Sequence, residues 1–175
     1  VRADTTTANW ATLIQRSNTA GNWLDWQIYA RAIDAPTANH PVCRFNWDGN
    51  NTIAADEQVQ GDIVLQPNTW YFLACTYDGT ALRFYIDGTL RGTTAAAGRT
   101  ILNSGKPVWI GGNDIWGEYY DGIIDEARIY NRALSGSEIQ ALMLQYTLTI
   151  TAANGTVTKN PNRTNYSYDE IVQLT

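Results

Sequence analysis

Apolar and polar residues alternate most regularly between residues 70 and 92, WYFLACTYDGTALRFYIDGTLRG. Tyr71, Leu73 and Cys75 alternate with Phe72, Ala74 and Thr76; beyond Asp78-Gly79, Leu82, Phe84 and Ile86 alternate with Arg83, Tyr85 and Asp87. A period of two is the signature of half-buried strands, because successive side chains leave a strand on opposite faces. The pairs Asp78-Gly79 and Asp87-Gly88 supply the positive φ that tight hairpins need. The segment therefore predicts a three-stranded meander. Shorter runs with the same character predict further strands at 10–15, 26–32, 42–47, 108–110 and 123–129, separated by Gly, Pro, Asn and Asp clusters. Many short strands without intervening helices favour two packed antiparallel sheets over a parallel α/β sheet.

The pattern changes near residue 135. Ser135 and Glu138 have the spacing of a capping box, and Ile139, Leu142 and Met143 follow at helical spacing, so a short helix is expected over 136–144. From Tyr146 the period returns to two. Leu148 and Ile150 alternate with Thr147, Thr149 and Thr151, and Asn154-Gly155 predicts a turn into Thr156-Val157-Thr158. The expected division is a sandwich over 1–145 and a second, partial β module over 146–175.

Trp70, Ala74, residues 76–79, Leu82, Tyr85, Asp87, Gly88, Ile110-Gly111-Gly112 and the run 122–135, GIIDEARIYNRALS, together resemble the laminin G-like, concanavalin A-like lectin/glucanase superfamily. The resemblance implies an all-β jelly-roll sandwich with one short C-terminal helix. Val1-Arg2-Ala3-Asp4 resembles the tail of an early family strand, so the resemblance leads to the expectation of one or two sandwich strands upstream of residue 1. The tail 146–175 resembles the opening of a bacterial β-repeat related to the internalin B-repeat, which implies a modular, secreted or cell-surface bacterial parent. Fold of this kind does not fix function, so the site is argued separately.

The 175-residue chain carries a net charge of −5, which disfavours nucleic acid and anionic membrane as partners, since both need a basic face. No apolar run is long enough for a membrane span. Seven Trp and ten Tyr against a single His make aromatic rings the expected recognition elements. Cys43 and Cys75 fall in two expected strands and permit a disulfide in an oxidising compartment. Two buried thiols are the alternative, and this reading is placed ahead because Cys75 stands where the family commonly has Ala.

Catalysis is disfavoured by the carboxylate pattern. Retaining glycosidases of this architecture carry two carboxylates on one strand face, whereas Asp125 and Glu126 are adjacent and must point to opposite faces. Their simpler roles are a turn acceptor for Asp125 and an ion pair between Glu126 and Arg128. His40 has no nucleophile motif beside it. Carboxylate and amide oxygens suit calcium better than zinc, and the resemblance makes Asp125 the candidate ligand of a structural Ca2+; a hydrogen-bonded carboxylate without metal is the alternative.

Two aromatic clusters suit carbohydrate, whose C–H faces pack on rings while amide and carboxylate groups bind the hydroxyls. They are residues 22–27, NWLDWQ, and residues 113–120, NDIWGEYY. Trp23, Asp25, Asn113, Asp114, Trp116 and Tyr119 are the candidate ligand residues. Trp26 and Tyr120 are assigned to packing, as are Trp10, Trp47 and Trp109, and Trp70 to the interior. The expected function is non-catalytic binding of a glycan or polysaccharide; the alternative is an adhesive or structural spacer that binds a cell-surface protein, or nothing.

Overall fold

The computed structural model describes residues 1–5, 10–17, 24–33, 37–47, 54–114, 116–143, 148–160, 162, 166 and 171–175. Two antiparallel sheets carry the fold. The larger is built from β2 (Trp10–Ser17), β3 (Leu24–Ala32), β4 (His40–Phe45), β5 (Gln58–Gln60) and β9 (Val108–Ile110), in the order β5-β4-β3-β2-β9. The smaller is the meander β6 (Leu73–Tyr77), β7 (Ala81–Ile86) and β8 (Thr89–Ala95). Among the described residues three short pairs complete the strands: β1 (Arg2–Ala3) with β12 (Gly122–Ile123), β10 (Gly112–Asn113) with β11 (Glu118–Tyr119), and β13 (Lys159–Asn160) with β14 (Gln173–Leu174).

The meander forms where the alternation predicts it. Leu82, Phe84 and Ile86 are each fully buried, and Leu73, Cys75 and Tyr77 pack against the same core. At the first turn the Asp78 carboxylate accepts hydrogen bonds from the Thr80 and Ala81 amides at 2.9 and 3.0 Å and from the Thr80 hydroxyl at 2.7 Å. Those donors, with Arg83, hold its pKa well below the usual carboxylate range. At the second turn Asp87 and Gly88 adopt φ of +50° and +69°, the left-handed pair that suits the twist of a two-residue hairpin.

The opposing sheet supplies Ala11, Leu13, Ala30, Cys43, Phe45 and Val59 to this core. Phe45 stacks on Trp47 at 5.6 Å between ring centres, and Trp47 meets Tyr77 of the meander at 5.0 Å. Cys43 of β4 and Cys75 of β6 are joined as a disulfide, with Cα atoms 6.4 Å apart, so the expectation of two free thiols is corrected. The two cysteines face one another across the core because each sits on the inward face of its own sheet, a pairing invisible to either strand alone.

The helix α1 spans Gly136–Met143 and begins with the expected capping box. Glu138 N–H donates to Ser135 Oγ at 3.2 Å, and Ser135 N–H donates to a Glu138 carboxylate oxygen at 2.8 Å. Ile139 is its fully buried anchor. Strand pairing in the 123–129 region is shorter than expected, stopping at Ile123, and residues 124–130 continue unpaired with Ile129 and Tyr130 exposed. Trp70 is half-buried rather than interior: Arg2, its bridge partner, lies 5.9 Å above the ring. Residues 148–150 form no strand either, and the pairing in the tail falls instead between β13 and β14, extended by reciprocal backbone bonds between Thr158 and Thr175. Among the described residues no helix is long and apolar enough to cross a membrane.

Candidate functional site

Between the core-facing residues of β2, β3 and β4, the alternate positions present polar groups on the opposite face of the sheet. Gln15, Gln27, Arg44 and Gln58 are successive cross-strand partners there. Thr12 pairs with Tyr29, after register shifts on either side of Thr12 that re-aim this end of β2. Trp10 packs on Tyr29 at 5.3 Å, and the Arg44 guanidinium lies over both rings, 5.4 Å from Trp10 and 5.8 Å from Tyr29.

The β10–β11 hairpin adjoins this face at Thr12 and Tyr29. Its backbone is anchored by Gly111 N–H, which donates to Leu13 O at 2.9 Å, and by Tyr120 N–H, which donates to Gly111 O at 3.0 Å. Asn113 pairs with Glu118 and Gly112 with Tyr119, so alternation turns Glu118 toward the sheet and Tyr119 away from it. Gly112 has φ of +148°, and a Cβ there would lie 2.6 Å from the Tyr119 ring, so glycine is required for the ring to lie across the hairpin.

Glu118 gathers three donors on one oxygen: the Tyr29 hydroxyl at 2.7 Å, the Thr12 hydroxyl at 3.2 Å and the Asn113 amide at 3.2 Å. Burial, reinforced by the Glu118 charge and hydrogen bond, pushes the Tyr29 phenol far up, so it remains a proton donor. On the outer side, the Tyr119 hydroxyl donates to Asp114 at 2.6 Å, a bond that also raises the Tyr119 pKa. Trp116 N–H donates to Asn113 Oδ1 at 2.9 Å.

Four of the expected ligand residues therefore share one hairpin, with unequal access. Trp116 is 39% and Tyr119 56% exposed, and Asp114 is exposed beside them. Asn113 is buried, 1% exposed, and its amide is committed to the hairpin and sheet, so its expected role as a direct sugar ligand is corrected to an internal one. Asp25 is fully buried; one oxygen accepts from the Ser104 amide and hydroxyl, each at 2.8 Å, with Arg16 3.4 Å away, so it too is corrected from ligand contact to internal anchor. Trp23 lies outside the described residues.

Asp125 is exposed, and its Oδ1 accepts the Glu126 amide at 2.9 Å, while Glu126 pairs with Arg128. Among the described residues no three His, Cys, Asp or Glu side chains converge as a metal cluster. His40 Nδ1 lies 3.1 Å from the Thr37 carbonyl. Sequence reasoning missed Thr12 and Tyr29 as parts of the site. The only local signal was an acidic residue in the arm of an aromatic hairpin, and its partners lie 106 and 89 residues away.

A family model described as the concanavalin A-like lectin/glucanases superfamily matches residues 1–140, which include both sheets and this hairpin. The chain belongs to that superfamily. Membership accounts for the facing antiparallel sheets, and the match ends before the tail that carries β13 and β14. No curated protein matches the chain. Among solved structures, it is similar to an S-layer domain-containing protein (residues 221–444) from Clostridium thermocellum ATCC 27405, at 22% identity and a TM-score of 0.40. That alignment covers 81% of this chain and 65% of the other, so the chain spans less than two thirds of the structure it matches.

Proposed function

We propose that this superfamily domain is a non-catalytic carbohydrate-binding module that holds a polysaccharide on the β10–β11 hairpin. The observation that carries the reading is the exposure of Trp116 and Tyr119 together, with the Asp114 carboxylate beside them. Large rings left in water next to a fixed hydrogen-bond acceptor match the needs of a pyranose, which has an apolar C–H face and a hydroxyl edge. Residues 112–127 contain Asp114, Glu118, Asp121, Asp125 and Glu126 and no Lys or Arg, so the favoured ligand is a neutral glycan, not a uronic or sulfated one. The Cys43–Cys75 disulfide supports an extracellular or cell-surface location, where such bonds persist.

The test is a binding screen against soluble neutral polysaccharides (a β-glucan, a mannan and a xylan) with a polyuronate as the charged control. Trp116→Ala and Tyr119→Ala should each weaken binding by about 5- to 30-fold, the loss of a recognition anchor worth about 1–2 kcal/mol, with little change in melting temperature. Unchanged affinity in both variants would place the ligand elsewhere. A second reading, an adhesive spacer with a protein partner, is favoured by β9, an edge strand with Val108 42% and Ile110 59% exposed. Binding to none of the polysaccharides would shift the assignment to it.

A further inference from the structure

Resting on that reading, we propose that Glu118 is the positioning residue of the ligand site: its carboxylate fixes the β10–β11 hairpin on the sheet and thereby sets where Trp116 and Tyr119 stand. The hairpin has arms of two residues, too short to be stable alone. Its shortest side-chain bonds to the sheet, from Tyr29 and Thr12, converge on one Glu118 oxygen, and Asn113 adds longer bonds of 3.5 Å to Thr12 and Gln15. Thr12 and Tyr29, two of the donors, are cross-strand partners on adjacent strands, so the carboxylate straddles β2 and β3. The third donor, Asn113, passes the constraint on, because its Oδ1 accepts the Trp116 amide. A chain of hydrogen bonds thus runs from the sheet through Glu118 and Asn113 to Trp116, while Tyr119 follows Glu118 directly in the backbone.

The surroundings make this attachment sensitive to one side chain. Thr12 is 0%, Asn113 1% and Tyr29 3% exposed, so removing the carboxylate strips an acceptor from three buried donors, of which Asn113 keeps its longer 3.5 Å bonds to Thr12 and Gln15. Buried donors do not stay unpaired when a small movement can hydrate them, so the hairpin should lift or fray. Neither ring needs to lose a contact of its own for the platform to be displaced. Glutamine keeps one acceptor oxygen in the same place and should restore most of the attachment.

The experiment follows amide hydrogen exchange at Asn113 and Trp116 in the ligand-free protein, and in parallel the affinity for the best-binding neutral polysaccharide of the panel above. Glu118→Ala should speed exchange at both amides about tenfold or more and weaken binding about tenfold, while melting remains cooperative. Glu118→Gln should bring both readouts back to within about threefold of the parent. Unchanged exchange in Glu118→Ala overturns the proposal, as does faster exchange with unchanged affinity. Loss of cooperative melting in both variants also overturns it, since Glu118 would then support the whole fold. If the parent binds no polysaccharide, the glycan reading fails by itself, and the exchange rates still decide whether Glu118 holds the hairpin.

Discussion

Gly92 of β8 lies against Gln60 of β5, where an edge of one sheet meets an edge of the other. A Cβ at this position would lie 2.0 Å from the Gln60 carbonyl oxygen and 3.1 Å from Val59 Cγ2, and the first contact is with backbone, which cannot rotate away. Gly92→Ala should therefore force β5 and β8 apart and cost about 1–3 kcal/mol, the range of an overpacked core. Gly136 is the useful contrast. Its added Cβ would meet only Tyr85 Cε1, at an ordinary 3.7 Å, in the first turn of a helix. Gly136→Ala should leave stability unchanged or raise it by about 0.5 kcal/mol, because the unfolded chain loses freedom and the folded one is not strained. Urea melts of the two variants beside the parent check both signs, and a neutral Gly92→Ala would show that the edges are not in contact.

At the scale of elements, the features encoded within a few residues were legible. The alternation of Leu82, Phe84 and Ile86, the two Asp-Gly turns, the capping box of Ser135 and Glu138, and the pair of Glu126 with Arg128 all form from neighbours that the sequence lists side by side. Asn113 and Asp25 were misjudged as exposed ligands for the opposite reason. Asp25 is held by Ser104, 79 residues away, and Asn113 bonds Glu118 in its own hairpin but is turned inward by a sheet whose Thr12 and Gln15 lie 101 and 98 residues away. Helix α1 also offers a pH test. The Arg132 guanidinium, followed by the Ser135 amide and hydroxyl, lowers the Glu138 pKa from 4.5 to about 2. A carboxylate depressed on folding stabilises fully above its unfolded value, and that contribution fades as pH falls through the folded value. The stability difference between the parent and Glu138→Gln should thus be constant above about pH 5, shrink between pH 4.5 and 2, and vanish below. Thermal melts across that range measure it; a difference that persists at the acid end would mean that the carboxyl acts through packing, not charge.

Across the whole molecule, the Cys43–Cys75 bond joins β4 of the larger sheet to β6 of the smaller, closing a separation of 32 residues. A loop of that length restricts the unfolded chain by about 3–4 kcal/mol in the chain-entropy account. Replacing both cysteines by Ala should lower the melting temperature by about 10 °C, with most native circular dichroism retained at 20 °C, since the interleaved apolar faces remain. A variant that melts with the parent would mean that the bond adds no stability. The same bond has a mechanical consequence. If the domain is drawn out from its two ends, the stretch between the cysteines is short-circuited, and about 100 Å of contour stays locked until the bond is reduced. Tension then passes from β4 directly into β6, leaving the Gln58–Gln60 edge strand and its neighbours slack inside the covalent loop.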